Sequence, residues 1–380
     1  MEMEQRNCIL CGEPLPGEPL LVCRDMPAQA QNLPAREDLE KDHKKTLKLV
    51  QCPGCGLVQF AAPPVYYYKD VIRSGGLSTT MGQLRREQYA RFVERCNLAG
   101  KRVIEVGCGQ GEFLSVWGEF PVQAFGIEHD PALVKLAVEK GLAVTQGFAD
   151  DTQFPPGDYD AFCSFNFLEH QPDPRGMLRA IRDHLGDEAY GLVTVPSFEY
   201  ILEMESYYEL IADHIAYYTR ETLTRLMELS GFEVLSHRIV NRDTHEVIVK
   251  KRPLAAVDAL VKNRDTLARS IHGFLERVRD RGERTAVWGA SHQGFTLLST
   301  VGAEDVVAYI IDSAPFKQGL YAPGSHIPIV APEHYLEHPV ENILIVAPGY
   351  TDEIARLVRD KLCHKGRLYT LRSNVMEELP

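Results

Sequence analysis

No run of about eighteen apolar residues occurs in this chain, so no membrane-spanning helix is expected. The first residues, Met1-Glu2-Met3-Glu4-Gln5-Arg6, lack the apolar segment of a signal peptide, which leads to the expectation of a cytoplasmic protein. Basic charge is scarce: 41 Lys and Arg stand against 53 Asp and Glu, a net charge of −12. That balance argues against a phosphate-coated polymer as partner, because nucleic-acid binders present basic surfaces. The nine cysteines are odd in number and scattered through 380 residues, which argues against a disulfide framework. A dinucleotide fingerprint, Gly-x-Gly-x-x-Gly, is also missing.

In its place stands Val103-Ile104-Glu105-Val106-Gly107-Cys108-Gly109-Gln110-Gly111-Glu112-Phe113. This reads as a buried strand that turns on three glycines into a helix. Glu112 occupies the position where a diphosphate would need a third glycine, and its charge would repel one. The turn suits a ligand with a cationic centre and a ribose but no phosphate, a description met by S-adenosylmethionine. Glu105 ends the first strand and is expected near the sulfonium and amino group; an ordinary strand-end carboxylate is the plainer alternative. Gly107, Gly109 and Gly111 give the backbone room to approach the ligand. Glu128 ends the second strand, where a carboxylate accepts hydrogen bonds from both ribose hydroxyls.

Strands and helices alternate around this turn. The pattern predicts a helix over 85–96 capped by Ser78 or Thr79, then strands at 102–106, 124–128, 143–146, 160–165 and 191–196. Helices are expected to start at 112–117 and to cover 131–139. Apolar runs at 232–238 and 245–250 complete an open α/β sheet. From Leu254 apolar residues recur at helical spacing, giving one or two linker helices. A second α/β unit opens at 285–290 and continues with strands at 306–312 and 342–346. The expected domains are 1–65, 66–252 and 253–380.

Two knuckles, Cys8-Ile-Leu-Cys11-Gly12 and Cys52-Pro-Gly-Cys55-Gly56, carry the metal signal. A two-residue spacer lets both thiolates face one ion, and the trailing glycine tolerates the left-handed turn that closes the knuckle. Four thiolates make a closed, structural zinc site. A redox motif or free thiols are the competing readings, but a redox motif needs only one pair.

Asp150 and Asp151 follow the third strand, either within reach of the adenine amino group or as a solvated pair. The segment Phe165-Asn166-Phe167-Leu168-Glu169-His170-Gln171-Pro172-Asp173-Pro174 leaves the fourth strand, at the sheet end where ligands of open α/β folds bind. Asn166 is thereby a cofactor-binding candidate, and His170 either faces the ligand or orders the turn. After the fifth strand, 207–219 is dense in Tyr, His and Asp. His214 with Asp213 could form a general base, and tyrosines such as Tyr208 could donate to a developing enolate. An amphipathic helix with aromatic core contacts is the other reading of this segment.

Taken together, the cysteine knuckles, the glycine turn, Asp213-His214 and the C-terminal 309–319 and 323–328 motifs give a chain that resembles the three-domain sugar-nucleotide C-methyltransferases of branched deoxysugar synthesis. The resemblance covers essentially the whole length. It implies a zinc-binding N-terminal domain, a class I S-adenosylmethionine-dependent methyltransferase core of Rossmann-like α/β fold, and a second Rossmann-like α/β domain that helps hold a sugar nucleotide. It also implies that a histidine removes a proton beside a 4-keto group and that the enolate takes the methyl; His214 matches the base position. The family often carries Tyr-x-Glu-His where this chain has Ile211-Ala212-Asp213-His214. The stretch 70–76 replaces a tyrosine-containing approach, and Gly289-Ala290-Ser291-His292-Gln293-Gly294 lacks a lysine. These departures surround the acceptor, so O- or N-methylation of a sugar nucleotide or other small molecule is the alternative. An RNA base methyltransferase is disfavoured by charge and by the absence of an Asn/Asp-Pro-Pro-Tyr element.

Overall fold

The glycine turn at 107–111 sits at the carboxyl end of an interior strand of a seven-stranded sheet. The structure, a computed structural model, describes residues 7–68, 77–150, 154–372 and 375–380; Asp151 and the 70–76 stretch lie outside the described residues. Three strands come first: β1 (Leu21–Pro27), β2 (Lys44–Gln51) and β3 (Val58–Phe60). Helix α1 (Thr79–Cys96) follows, its first turn capped by the Ser78 hydroxyl, which accepts from the Met81 N–H at 3.2 Å. Asn97 then closes it in the left-handed conformation.

The alternating run is built of β4 (Arg102–Val106), β5 (Gln123–Glu128), α2 (Pro131–Glu139), β6 (Val144–Gln146), β7 (Tyr159–Phe165), α3 (Pro174–Asp183) and β8 (Leu185–Pro196). After it come α4 (Phe198–Glu203), β9 (Ala216–Tyr217), α5 (Arg220–Leu229), β10 (Phe232–Val240) and β11 (Thr244–Lys251). The sheet order is β10-β11-β8-β7-β4-β5-β6, with β11 antiparallel between β8 and β10 and the other neighbours parallel. This is the class I S-adenosylmethionine-dependent methyltransferase sheet. Its middle strands are apolar on both faces, as a sheet covered on both sides requires: Val103 and Ile104 of β4 and Ala161, Phe162 and Cys163 of β7 are buried.

Two expectations need correction. The segment after the glycine turn is a 3-10 helix, Leu114–Glu119, not the start of an α-helix. Gly118 weakens it and Pro121 cannot continue it, so it ends after six residues. The segment 207–219 is not one amphipathic helix either. It holds a short 3-10 turn at Tyr207–Glu209, a loop, and β9, which pairs antiparallel with β3. A four-stranded sheet of order β1-β2-β3-β9 results.

The chain divides into two compact units, 1–253 and 254–380. Residues 1–65 belong to the first, tied in through β3–β9 and through Leu10 and Leu57, which are buried in its main core. The second unit opens with one long helix, α6 (Asp258–Asp280). It then holds β12 (Thr285–Trp288), α7 (His292–Val301), β13 (Val307–Ile311), β14 (Ile329–Val330), β15 (Asn342–Ile345), β16 (Arg367–Arg372) and β17 (Val375–Leu379). Its sheet order, β14-β13-β12-β15-β16-β17, is the doubly wound Rossmann-like order, with its own core of Val287, Ile310, Leu344 and their neighbours.

Candidate functional site

Glu105 and Glu128 lie where strand periodicity puts them, at the carboxyl ends of β4 and β5. Glu128 Oε2 accepts from the Gly109 N–H at 2.8 Å, while Oε1 accepts from the His129 and Asp130 N–H groups at 2.8 and 3.0 Å. A carboxylate offers about four lone-pair positions, so these three bonds fix its direction and leave room for a hydroxyl. Glu105 is buried, with the Tyr89 hydroxyl donating to it at 3.3 Å. Burial pushes its carboxyl up to about 8, against the pull of the Arg85 charge. A cation beside it would restore the carboxylate, which suits the sulfonium and ammonium of S-adenosylmethionine.

The three glycines have different jobs. Gly107, Gly109 and Gly111 all hold positive φ, at 73°, 56° and 83°. A side chain on Gly107 would meet the Phe167 ring at 3.8 Å, on the ligand side of the turn. On Gly111 it would sit 2.1 Å from Leu142 Cδ1, so the third glycine makes room for the segment that follows α2 rather than for a ligand. Gly107, Glu128, Phe148, Ala149, Phe165, Asn166 and Phe167 line a narrow cleft of about 30 Å³. Asp150, next to Ala149, is half-buried. Asn166 is held in the left-handed region, φ 49°, with its Oδ1 accepting from the Thr194 hydroxyl at 2.7 Å.

Phe165 and Asn166 also line a second, larger cavity of about 360 Å³. It gathers Arg85, Gln88, Glu169, His170, His214 and Asp243. His170 is buried, and its Nδ1–H donates to the Asp213 carbonyl at 2.8 Å, which leaves Nε2 as a lone pair 3.9 Å from Glu169 Oε1. The rings of His170 and His214 meet edge to face at 4.7 Å. Burial drives His170 down to about 4 and His214 to about 3, so both are neutral near pH 7. Glu169 moves the other way, up to about 8, through burial.

The loop carrying His214 is pinned on both flanks. Ile215 donates its N–H to the Glu169 carbonyl at 2.8 Å, and its own carbonyl accepts from the Phe60 N–H at 3.0 Å. Asp213 is 0% exposed, and its side chain turns away from His214. Its Oδ1 accepts from the Tyr67 hydroxyl at 2.6 Å and its Oδ2 from the Ala30 N–H at 2.7 Å. Asp213 thus orients His170 through its carbonyl and ties the N-terminal segment down, without forming a dyad with His214. Tyr208 is 69% exposed, beside Tyr207, and is not among the residues lining the cavity.

Arg85 is the residue that sequence reasoning missed. It is 3% exposed, lies 3.5 Å above the Phe165 ring and 4.3 Å from the Phe113 ring, and donates to Gln88 at 2.6 Å. Its Nε has no partner among the described residues. Nothing in the helical pattern of α1 marks an arginine on the buried face.

Cys8, Cys11, Cys52 and Cys55 converge, with all four Sγ atoms within 4.8 Å of one another and pairs at 3.5 Å. A tetrahedron with Zn–S bonds of about 2.3 Å has edges of about 3.8 Å, so the donor set fits a zinc ion. The knuckles are alike: Gly12 and Gly56 have φ 83° and 81°, and their N–H groups donate to the Cys8 and Cys52 carbonyls at 2.9 Å. Burial pushes Cys8 up to about 11 and raises Cys55 further, so both keep their protons unless a cation draws the proton off. In the second unit Asp312 and Lys317 bond each other at 3.0 Å across the turn at Ala290. His245 is buried between Glu199, at 2.9 Å, and His237, at 2.8 Å.

Comparison with known proteins agrees with this anatomy. Residues 81–237 match a family described as a methyltransferase domain, and residues 236–371 match the C-methyltransferase C-terminal domain. The C-methyltransferase NovU of Streptomyces niveus is 24% identical over 358 residues, 84% of each chain. A ubiquinone biosynthesis O-methyltransferase of Xanthomonas euvesicatoria pv. vesicatoria is 37% identical over 93 residues, which span 23% of this chain and 39% of that protein. Among solved structures, magnesium protoporphyrin IX methyltransferase from Synechocystis with bound SAH superposes with TM-score 0.37 at 16% identity, covering 47% of this chain and 90% of that one.

Proposed function

We propose that this S-adenosylmethionine-dependent C-methyltransferase, of the family that joins a methyltransferase domain to a C-methyltransferase C-terminal domain, methylates the carbon beside the keto group of a nucleotide-linked sugar. The observation that carries the reading is the pair of cavities sharing Phe165 and Asn166. One is lined by the cofactor-type residues of the glycine turn, and the other by His214, His170 and Glu169. When bound, S-adenosylmethionine supplies an electrophilic methyl group on a sulfonium. Glu105 faces its positive end, Glu128 the ribose hydroxyls, and Gly107, Gly109, Asp150 and Asn166 the remaining edges. Arg85, buried with an unpartnered donor between Glu105 and the cavity, supplies the counter-charge for an anionic group of donor or acceptor.

His214 is the base in this reading. A keto group acidifies the neighbouring C–H, and a neutral, half-buried imidazole can take that proton at neutral pH. His170, locked by the Asp213 carbonyl, holds the His214 ring edge to face. Asp213 serves as a positioning residue. The four cysteines hold a structural zinc that leaves no open coordination position. The sugar nucleotide rests on the resemblance in residue pattern, and the match to an O-methyltransferase favours a heteroatom acceptor as the second reading.

One experiment separates these. The protein is incubated with 4-keto sugar nucleotides in deuterated water, and α-proton exchange and methyl gain are followed by mass spectrometry. Carbon methylation predicts exchange and gain of one methyl; methylation without exchange indicates an O or N acceptor. His214→Ala is expected to lose turnover while S-adenosylhomocysteine binding by calorimetry stays intact. Undiminished turnover would remove His214 from the mechanism.

A further inference from the structure

Making an enolate requires a group that stabilises negative charge on the keto oxygen. The tyrosines of 207–208 are poor candidates, both being largely exposed. The cavity offers another group. Glu169 is 2% exposed and lines the cavity directly beside His214 and His170. Its Oε2 is buried and has no hydrogen-bond partner among the described residues. Its Oε1 lies 3.9 Å from His170 Nε2, too far for a hydrogen bond. A buried polar atom without a partner is costly, and at a ligand cavity the ligand is the natural partner.

Building on the C-methylation reading, we infer that Glu169 acts as a neutral carboxylic acid whose O–H donates a hydrogen bond to the keto oxygen of the acceptor and holds the enolate oxygen once it forms. The C–H bond beside the ketone breaks, its proton passes to the His214 imidazole, and its electron pair becomes the enolate C=C bond while the carbonyl π pair moves to oxygen. Glu169 keeps its proton and shares it with that oxygen. The carbon then forms its bond to the methyl group as the S–CH3 bond breaks, leaving the neutral thioether, and the C=O bond is restored.

The surroundings favour the neutral acid. On its own element Glu169 has His170. The 211–215 loop contributes His214, and the Tyr218 phenol, pushed up chiefly by burial, donates to the Leu168 carbonyl at 3.4 Å. Asp213 faces His170, while Arg85 and Asp243 line the same cavity from α1 and the β10–β11 turn. Both imidazoles are held low and the carboxyl high by burial, so near pH 7 the shared proton stays on Glu169. A neutral acid used as an oxyanion donor has precedent in enzymes that form enolates.

The test compares Glu169→Gln and Glu169→Ala in the full-length protein. Glutamine keeps the shape and an N–H donor, so it should hold kcat and α-proton exchange within about tenfold, whereas alanine should lose about 10²–10³-fold. Wild-type kcat should fall as pH rises through about 8, where the donor ionises, and this alkaline limb should vanish in Glu169→Gln. Infrared difference spectra of wild type against Glu169→Gln should show a protonated carboxyl C=O band near pH 7, a readout that needs no substrate. Absence of that band overturns the inference. So does a Glu169→Gln protein as inactive as the alanine variant, or a transition metal beyond one zinc per chain that Glu169→Gln releases, which would make Glu169 a ligand with His170 and His214. If the wild-type protein exchanges no α-proton of any 4-keto sugar nucleotide, the carbon-acceptor reading falls and takes the inference with it.

Discussion

Asp213 and His214 are adjacent in sequence yet face different structures, and the consequence is testable at a single atom. The Tyr67 hydroxyl and the Ala30 N–H reach Asp213 from 146 and 183 positions away. Tyr67→Phe removes one donor and leaves a fully buried carboxylate oxygen unpaired, a loss of about 1–3 kcal/mol, measurable by urea denaturation. Because the Asp213 carbonyl also orients His170, kcat should fall in this variant while S-adenosylhomocysteine affinity holds. An unchanged denaturation midpoint would mean that Tyr67 does not anchor Asp213. The contrast with Glu105 and Glu128 explains what was legible. Their places follow from local strand periodicity and the glycine turn, so sequence sufficed. The isolation of Glu169, the side-chain direction of Asp213 and the burial of Arg85 depend on contacts between distant segments, which no local pattern encodes.

At the level of elements, the cysteine knuckles and the His214 loop form one mechanical unit. The second knuckle leads straight into β3, and β3 pairs with β9, two residues beyond His214. The first knuckle is tied to the same strand by the Ile9 N–H, which donates to the Gln59 side chain at 3.1 Å. Structural zinc sites stabilise their folds through metal binding itself. Stripping the metal with a chelator should therefore release about one zinc per chain and raise hydrogen exchange in 214–218 along with the knuckles. Turnover should drop before S-adenosylhomocysteine binding does, since the glycine turn belongs to a different sheet. Exchange confined to the knuckles would show that β9 holds without them. The β3–β9 pairing itself was hidden in sequence: β9 has only two residues, and its aromatic neighbours suggest a helix as readily as a strand.

For the whole molecule, the location of the boundary decides which fragment is stable. The second family match starts at residue 236, inside β10, whereas the compact unit starts at 254. The difference matters because β11 is bonded on both sides, to β8 and to β10. Ending the chain near 235 would remove β11 and most of β10, exposing β8 as an apolar edge strand, an aggregation hazard. Ending it after 253 keeps the seven-stranded sheet, the zinc knuckles and every residue of both cavities. The 1–253 fragment should therefore be soluble and bind S-adenosylhomocysteine within about threefold of the full chain, as a unit with its own core does. If the second unit holds the sugar nucleotide, the same fragment should lose acceptor affinity, seen as a raised KM at unchanged cofactor binding. A fragment with weakened cofactor binding would instead place part of the donor site beyond residue 253.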